Sequence, residues 1–99
     1  MTLAQMFAQR LREACEESAK LGHNPTRILG MLTSMDAVSV AKNLIMSGDI
    51  QTGLKKMVSI GRQELTIESL MLESKFAPLF TKQELDAAKW RLSQVMAEA

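Results

Sequence analysis

The chain has few of the residues that metal sites and covalent catalysis require. Its 99 residues include one cysteine, Cys15, one histidine, His23, and no tyrosine. A single cysteine cannot form an internal disulfide, and zinc or haem sites usually need several cysteine or histidine ligands. We therefore expect no metal ion, no cofactor and no disulfide. Cys15 is interpreted as a small residue on the flank of a core, and His23 as a residue of a turn.

Long apolar runs and an excess of one charge are also missing. The longest stretch without a charged side chain covers residues 1–9, about half of the roughly 20 residues that a membrane-spanning helix needs. The start lacks the basic and apolar regions of a secretory signal. Twelve basic and eleven acidic side chains give a formal net charge of +1, so no strong long-range attraction for phosphates is expected. These features predict a cytoplasmic protein that makes no membrane contact.

The sequence motifs of common enzyme classes are absent. The five glycines stand apart from one another, so no glycine-rich loop is available to bind a phosphate. There is no Gly-x-Ser-x-Gly motif of the kind that presents a nucleophilic serine. The carboxylate pairs Glu13/Glu17 and Glu64/Glu68 are more typical of a solvated helix face than of an acid–base site. We predict no enzymatic activity and no small-molecule substrate.

A helical pattern of apolar residues covers almost the whole chain. Leu3, Phe7, Leu11 and Ala14 recur at the spacing of one face of an amphipathic helix. Capping residues and glycines divide the rest into helices. The predicted starts are at Asn24 and Pro25, Ser34 or Asp36, Asp49, Thr66, and Thr81 with Glu84; the predicted ends are at Gly22, Gly48 and Gly61. The expected fold is all-α, a compact single-domain bundle of about six helices, several of them short. Its expected core residues are Leu11, Leu32, Leu44, Leu54, Leu70, Leu85 and Leu92.

The second half of the chain contains an ordered string of caps and apolar residues. Residues 62–72 read RQELTIESLML and residues 76–81 read FAPLFT, followed by Glu84, Leu85, Ala88, Arg91 and Leu92. This pattern resembles a small all-helical module that recurs in bacterial proteins of uncharacterised function. The resemblance covers residues 22–95 and leaves residues 1–21 as an additional N-terminal helix of the same domain, 1–99. It implies a fold and no activity. Its polar positions Arg62 and Glu68 are interpreted as an ion pair or cap pair.

Trp90 is the candidate binding residue that the sequence singles out. At about 100° per residue it lies about 140° around the last helix from Leu85, away from the apolar stripe. Either a neighbouring helix or residues 76–80 cover it, which is the favoured alternative, or it is exposed as a binding hot spot. If it is exposed, Lys89 and Arg91 are expected to surround it. The candidate partner-binding residues are Trp90, Lys89, Arg91, Phe76 and Phe80.

Two functions remain after these exclusions, with a structural homodimer as a third class. The favoured one is a non-enzymatic protein–protein interaction module that binds a protein partner or a second copy of itself through helix faces. An adaptor, a subunit of a complex, or an inhibitor from a bacterium or phage would each fit this description. The alternative is a small nucleic-acid-binding protein that uses basic residues of the second half. The candidate contacts for that alternative are Lys55, Lys56, Lys89 and Arg91.

Overall fold

The chain folds into helices joined by short turns, and a computed structural model describes residues 1–47 and 52–98 of it. The helices are α1 (Leu3–Lys20), α2 (Thr26–Leu32), α3 (Ala37–Met46), α4 (Thr52–Ser59), α5 (Ile67–Leu72) and α6 (Lys82–Glu98). Short 3₁₀ turns, Gln63–Leu65 and Ala77–Leu79, precede α5 and α6. The described ranges contain no strand, so the predicted all-α bundle of about six helices is confirmed. Among these helices, none has the length and apolar character needed to cross a membrane.

Side-chain caps begin three of the helices where the sequence predicts them. The carboxylate of Asp36 accepts a hydrogen bond of 3.1 Å from the backbone N–H three residues later, at the start of α3. The hydroxyl of Thr66 does the same for α5, at 3.2 Å. Before α6, Thr81 and Glu84 each accept the other's backbone N–H, at 3.1 and 2.8 Å. These bonds satisfy N–H groups that have no partner within the helix. The predicted caps of α5 and α6 are confirmed, and of the two candidates for α3, Ser34 and Asp36, the cap is Asp36.

The predicted start of α2 is wrong by one residue. Pro25, expected at the first helical position, is the residue before the helix, and no side chain caps this end. The carbonyl of Asn24 accepts from the N–H of Thr26 at 2.8 Å, so the backbone makes the bond that the Asn24 side chain was expected to make. The predicted helix end at Gly48 and start at Asp49 lie outside the described residues.

Two glycines end helices because the backbone there turns left-handed. Gly22 follows α1 with φ of 93°, and Gly61 follows α4 with φ of 75°. A Cβ atom makes this conformation costly, and glycine lacks one. Both predicted helix ends are confirmed.

The core lies between α1, α3, α5 and α6. Phe7 of α1 contacts Phe76 and Phe80 edge-to-face, with ring centroids 5.3 and 5.4 Å apart. The first helix is therefore packed into the bundle. Of the seven predicted core leucines, four are buried, namely Leu11, Leu44, Leu54 and Leu70. The remaining three, Leu32, Leu85 and Leu92, are only partly buried because they lie at the margins of the core.

Helix α2 is the most weakly anchored of the described helices. It has seven residues, none of them buried, and no side-chain cap at its first turn. Gly30 lies within it, and a Cβ atom there would meet nothing within 4 Å. Glycine within a helix costs about 0.5–1 kcal/mol relative to alanine. The stability of α2 is therefore limited by its own sequence as well as by its few buried contacts.

We expect Gly30→Ala to raise the free energy of unfolding by up to about 1 kcal/mol. The matched variant is Gly53→Ala in α4, where a Cβ atom would lie 3.0 Å from Nε2 of His23. That contact should cancel much of the gain, and removing the imidazole with His23→Ala should restore it. Urea unfolding of the single and double variants measures these differences. An equal gain at both glycines would contradict the close approach of His23 to α4.

Candidate functional site

Trp90 lies on the surface of α6. Its side chain is 58% exposed, so the favoured expectation that a neighbour covers it is wrong. Phe76 and Phe80, which were expected to cover or flank it, are 0% and 8% exposed and belong to the core around Phe7. They provide no surface for a partner. Lys89, the preceding residue, is exposed beside Trp90 in the chain.

Arg91 points inward and joins three helices. Its Nε donates to Oε2 of Glu68 on α5 at 3.1 Å, and its Nη1 donates to the backbone carbonyl of Ser47 after α3 at 3.2 Å. The Arg91 and Glu68 side chains are 4% and 2% exposed. The expectation that Arg91 borders Trp90 on the surface is therefore wrong. Its guanidinium lies in the interior and holds α6 against α5 and the end of α3.

The predicted pairing of Arg62 with Glu68 is also wrong. Arg62 lies at the surface, where its Nε donates to Glu64 at 2.6 Å and its Nη2 lies 3.8 Å from a carboxylate oxygen of Glu17 on α1. Glu68 turns away from it into the core. The sequence contained a signal for the true partner: Ala88, Arg91 and Val95 follow one another at steps of three and four residues, and all three are buried.

Burial raises the pKa of the Glu68 carboxyl above its ordinary value. Loss of hydration is the largest cause, and the hydrogen bonds from its own backbone N–H and from Arg91 oppose it. Burial favours the uncharged acid, whereas the guanidinium favours the carboxylate. The direction of the shift means that burial outweighs the ion pair at this position.

This raised pKa predicts a pH dependence of stability. Between the ordinary glutamate pKa, about 4.3, and the raised value, the native protein binds more protons at Glu68 than the unfolded chain does. The contribution of Glu68 is therefore largest below about pH 4.3 and is lost as the pH rises through the native pKa. The difference in unfolding free energy between the wild type and Glu68→Gln, measured by urea unfolding between about pH 4 and 7, should show this loss, because the other carboxyl groups titrate alike in both proteins. If the contribution of Glu68 to stability grew as the pH rose, the effect of Arg91 on the pKa of Glu68 would be larger than the effect of burial.

Of the four basic residues considered for nucleic-acid binding, three are exposed and one is buried. Lys55 and Lys56 are exposed on α4, and Lys89 is exposed on α6. These two helices pack through a small apolar cluster that includes Leu54 and Val95. Arg91 is buried and paired with Glu68, so it is no longer a candidate contact for nucleic acid. Three exposed lysines on two helices remain.

A cavity lies on a different part of the molecule, between α1, α4, the start of α2 and the start of α5. Its volume is about 410 Å³. The apolar side chains of its floor are Leu11, Leu44, Leu54, Met57 and Ile67, all of them buried. The exposed residues at its mouth are Asn24, Thr26 and Arg27, with His23 half-buried beside them. No sequence pattern indicates this cavity, because its walls come from five separate segments.

Cys15 and His23 both line this cavity. The Cys15 side chain is 5% exposed, and burial raises the pKa of its thiol, which disfavours the reactive thiolate. The imidazole of His23 lies against Gly53 of α4. Within residues 1–47 and 52–98, no three histidine, cysteine, aspartate or glutamate side chains are grouped as a metal site would require.

Comparison of the chain with protein-family models, with curated proteins and with solved structures finds no match. The resemblance of residues 22–95 to a recurring helical module stays a prediction.

Proposed function

We propose that this protein is a non-enzymatic protein–protein interaction module whose binding surface is the outer face of α6, centred on Trp90. The observation that carries the proposal is the exposure of Trp90. The chain has four aromatic side chains, and the three phenylalanines are all buried in one cluster. The one tryptophan is 58% exposed. Tryptophan is among the residues most enriched at binding hot spots.

The interior of the bundle supports this assignment by holding α6 in place. Arg91 follows Trp90 directly, and its side chain is fixed by Glu68 and by the Ser47 carbonyl. A side chain presented on an anchored helix loses less entropy on binding than one on a mobile segment. Trp90 has the two properties of an anchor residue, a large apolar area and a rigid backbone.

The occupant that this surface favours is a protein with an apolar pocket for the indole ring. A flanking lysine, Lys89, adds one positive charge, which suits a partner with acidic residues around that pocket. With Arg91 buried, the observations favour this use of the surface over nucleic-acid binding.

The test is affinity capture from host extracts with the wild type, Trp90→Ala and a matched control. The control is Leu29→Ala, which removes an apolar side chain that is 40% exposed on α2. We expect a stoichiometric protein partner that survives nuclease and moderate salt, and whose affinity falls about tenfold or more in Trp90→Ala alone. The unfolding midpoint should not change.

Three outcomes would overturn the proposal. Full retention of the partner by Trp90→Ala would remove Trp90 from the interface. Recovery that disappears with nuclease and falls steeply with salt would indicate nucleic acid as the partner, and Lys55, Lys56 and Lys89 would become the residues to replace. A melting temperature that depends on protein concentration, with no other protein captured, would indicate a homodimer instead.

A further inference from the structure

The cavity between α1, α2, α4 and α5 has the dimensions and lining of a small-molecule site. Its volume of about 410 Å³ falls within the range of roughly 300–1,000 Å³ that is typical of ligand pockets. Its floor is apolar, with Leu44, Leu54 and Met57 among the buried side chains. A ligand that binds there must therefore contribute an apolar part.

The charges around the cavity favour an anionic ligand. Among the described lining residues the only acidic side chain is Glu68, and its carboxylate is paired with Arg91. Arg27 stands at the mouth, exposed, and forms no ion pair with any residue of the described ranges. His23 lies beside it and offers a ring nitrogen as a further hydrogen-bonding group. A guanidinium that lines an apolar cavity and has no ion-pair partner among the described residues is complementary to a carboxylate attached to a hydrocarbon chain.

Helix α2, which carries Arg27, is the part of the cavity wall that can move most easily. Helix α2 has no buried residue and no side-chain cap, and it contains Gly30 in its interior. Elements with few buried contacts open at low free-energy cost. A ligand can therefore reach the buried floor by displacing the start of α2, with α1, α4 and α5 left in place.

We propose that this cavity binds a small amphipathic carboxylate, such as a medium-chain fatty acid. The hydrocarbon chain lies against Leu44, Leu54 and Met57, and the carboxylate pairs with the guanidinium of Arg27. This site shares no residue with the Trp90 surface. It can therefore be correct or wrong independently of the proposed function.

The test is a titration of the isotope-labelled full chain followed by amide chemical shifts, with four probes. Octanoate carries both features of the proposed ligand, acetate lacks the chain, octan-1-ol lacks the charge, and octyltrimethylammonium reverses it. We expect saturable shifts from octanoate at residues 11–28, 53–57 and 65–68, and none at Trp90. Octanoate should bind up to about fivefold more tightly than octan-1-ol, because an ion pair of an exposed guanidinium contributes up to about 1 kcal/mol.

Arg27→Gln should remove the preference for octanoate over octan-1-ol. Lys89→Gln makes the same change of charge on α6, outside the cavity, and should leave the preference unchanged. Cys15→Leu places a larger side chain in the cavity and should weaken both ligands about tenfold. If that variant does not fold, the exposed Arg27 still decides the test.

The proposal is overturned by any of three results. These are the absence of saturable shifts around the cavity, octan-1-ol binding as tightly as octanoate, or an unchanged preference in Arg27→Gln.

Discussion

Replacing Arg91 by alanine is expected to lower the free energy of unfolding by about 3–5 kcal/mol. The substitution leaves the Glu68 carboxylate without its partner in a site where it is 2% exposed. It also removes the donor to the Ser47 carbonyl. A buried charge that loses its partner keeps the full cost of its lost hydration. Small domains have only about 5–15 kcal/mol of stability in total, so this single change removes a large part of it.

Urea unfolding measures this loss, and Arg62→Ala is the matched control. Arg62 pairs with Glu64 at 2.6 Å at the surface, where exposed ion pairs contribute about 0–1 kcal/mol. The double variant Glu68→Leu/Arg91→Met removes both charges and should recover much of the stability lost in Arg91→Ala, because no charge is left unpaired. A loss below about 1 kcal/mol in Arg91→Ala would show that water reaches Glu68 in the native protein.

Phe7→Ala should cost a similar amount, about 3–5 kcal/mol. Phe7 is 0% exposed and packs edge-to-face on Phe76 and Phe80, with ring centroids 5.3 and 5.4 Å away. Truncation to alanine loses the free energy gained by burying the ring, and it loses both aromatic contacts. It also leaves an unfilled space between α1 and residues 76–80. Pro78 makes this last segment stiff, so it cannot collapse freely into the vacated volume.

Two further variants serve as controls for the stability of Phe7→Ala. Phe7→Leu keeps most of the buried area and should cost clearly less than Phe7→Ala. Trp90→Ala removes a larger ring that is 58% exposed and should change stability by no more than about 0.5 kcal/mol. If Trp90→Ala destabilised the protein as much as Phe7→Ala, Trp90 would be part of the core, and its loss of partner binding would reflect unfolding.

The stability losses expected at Arg91 and Phe7 determine which variants suit the binding experiments. Arg91 and Trp90 are adjacent in sequence, and any variant of Arg91 loosens the helix that presents Trp90. Binding experiments should therefore change Trp90 and leave Arg91 intact. Experiments on the cavity should likewise use the exposed Arg27 before any buried residue of the floor.

The outcomes of the sequence predictions separate local from long-range determinants. The caps at Asp36, Thr66 and Thr81, and the ends at Gly22 and Gly61, were predicted correctly because each depends on side chains within about one helical turn. The start of α2 was misplaced by one residue because a backbone bond from the Asn24 carbonyl replaced the expected side-chain cap. Such a choice depends on small local energy differences.

The all-α class, the approximate number of helices and most of their boundaries are properties of the sequence by itself, because helical periodicity and capping act over a few residues. The pairing of Arg91 with Glu68, the exposure of Trp90 and the cavity beside Arg27 were decided only by the tertiary structure. Each depends on which helices meet, and Glu68 and Arg91 are 23 residues apart. Periodicity places a residue on a face of its own helix, but only packing determines what that face contacts.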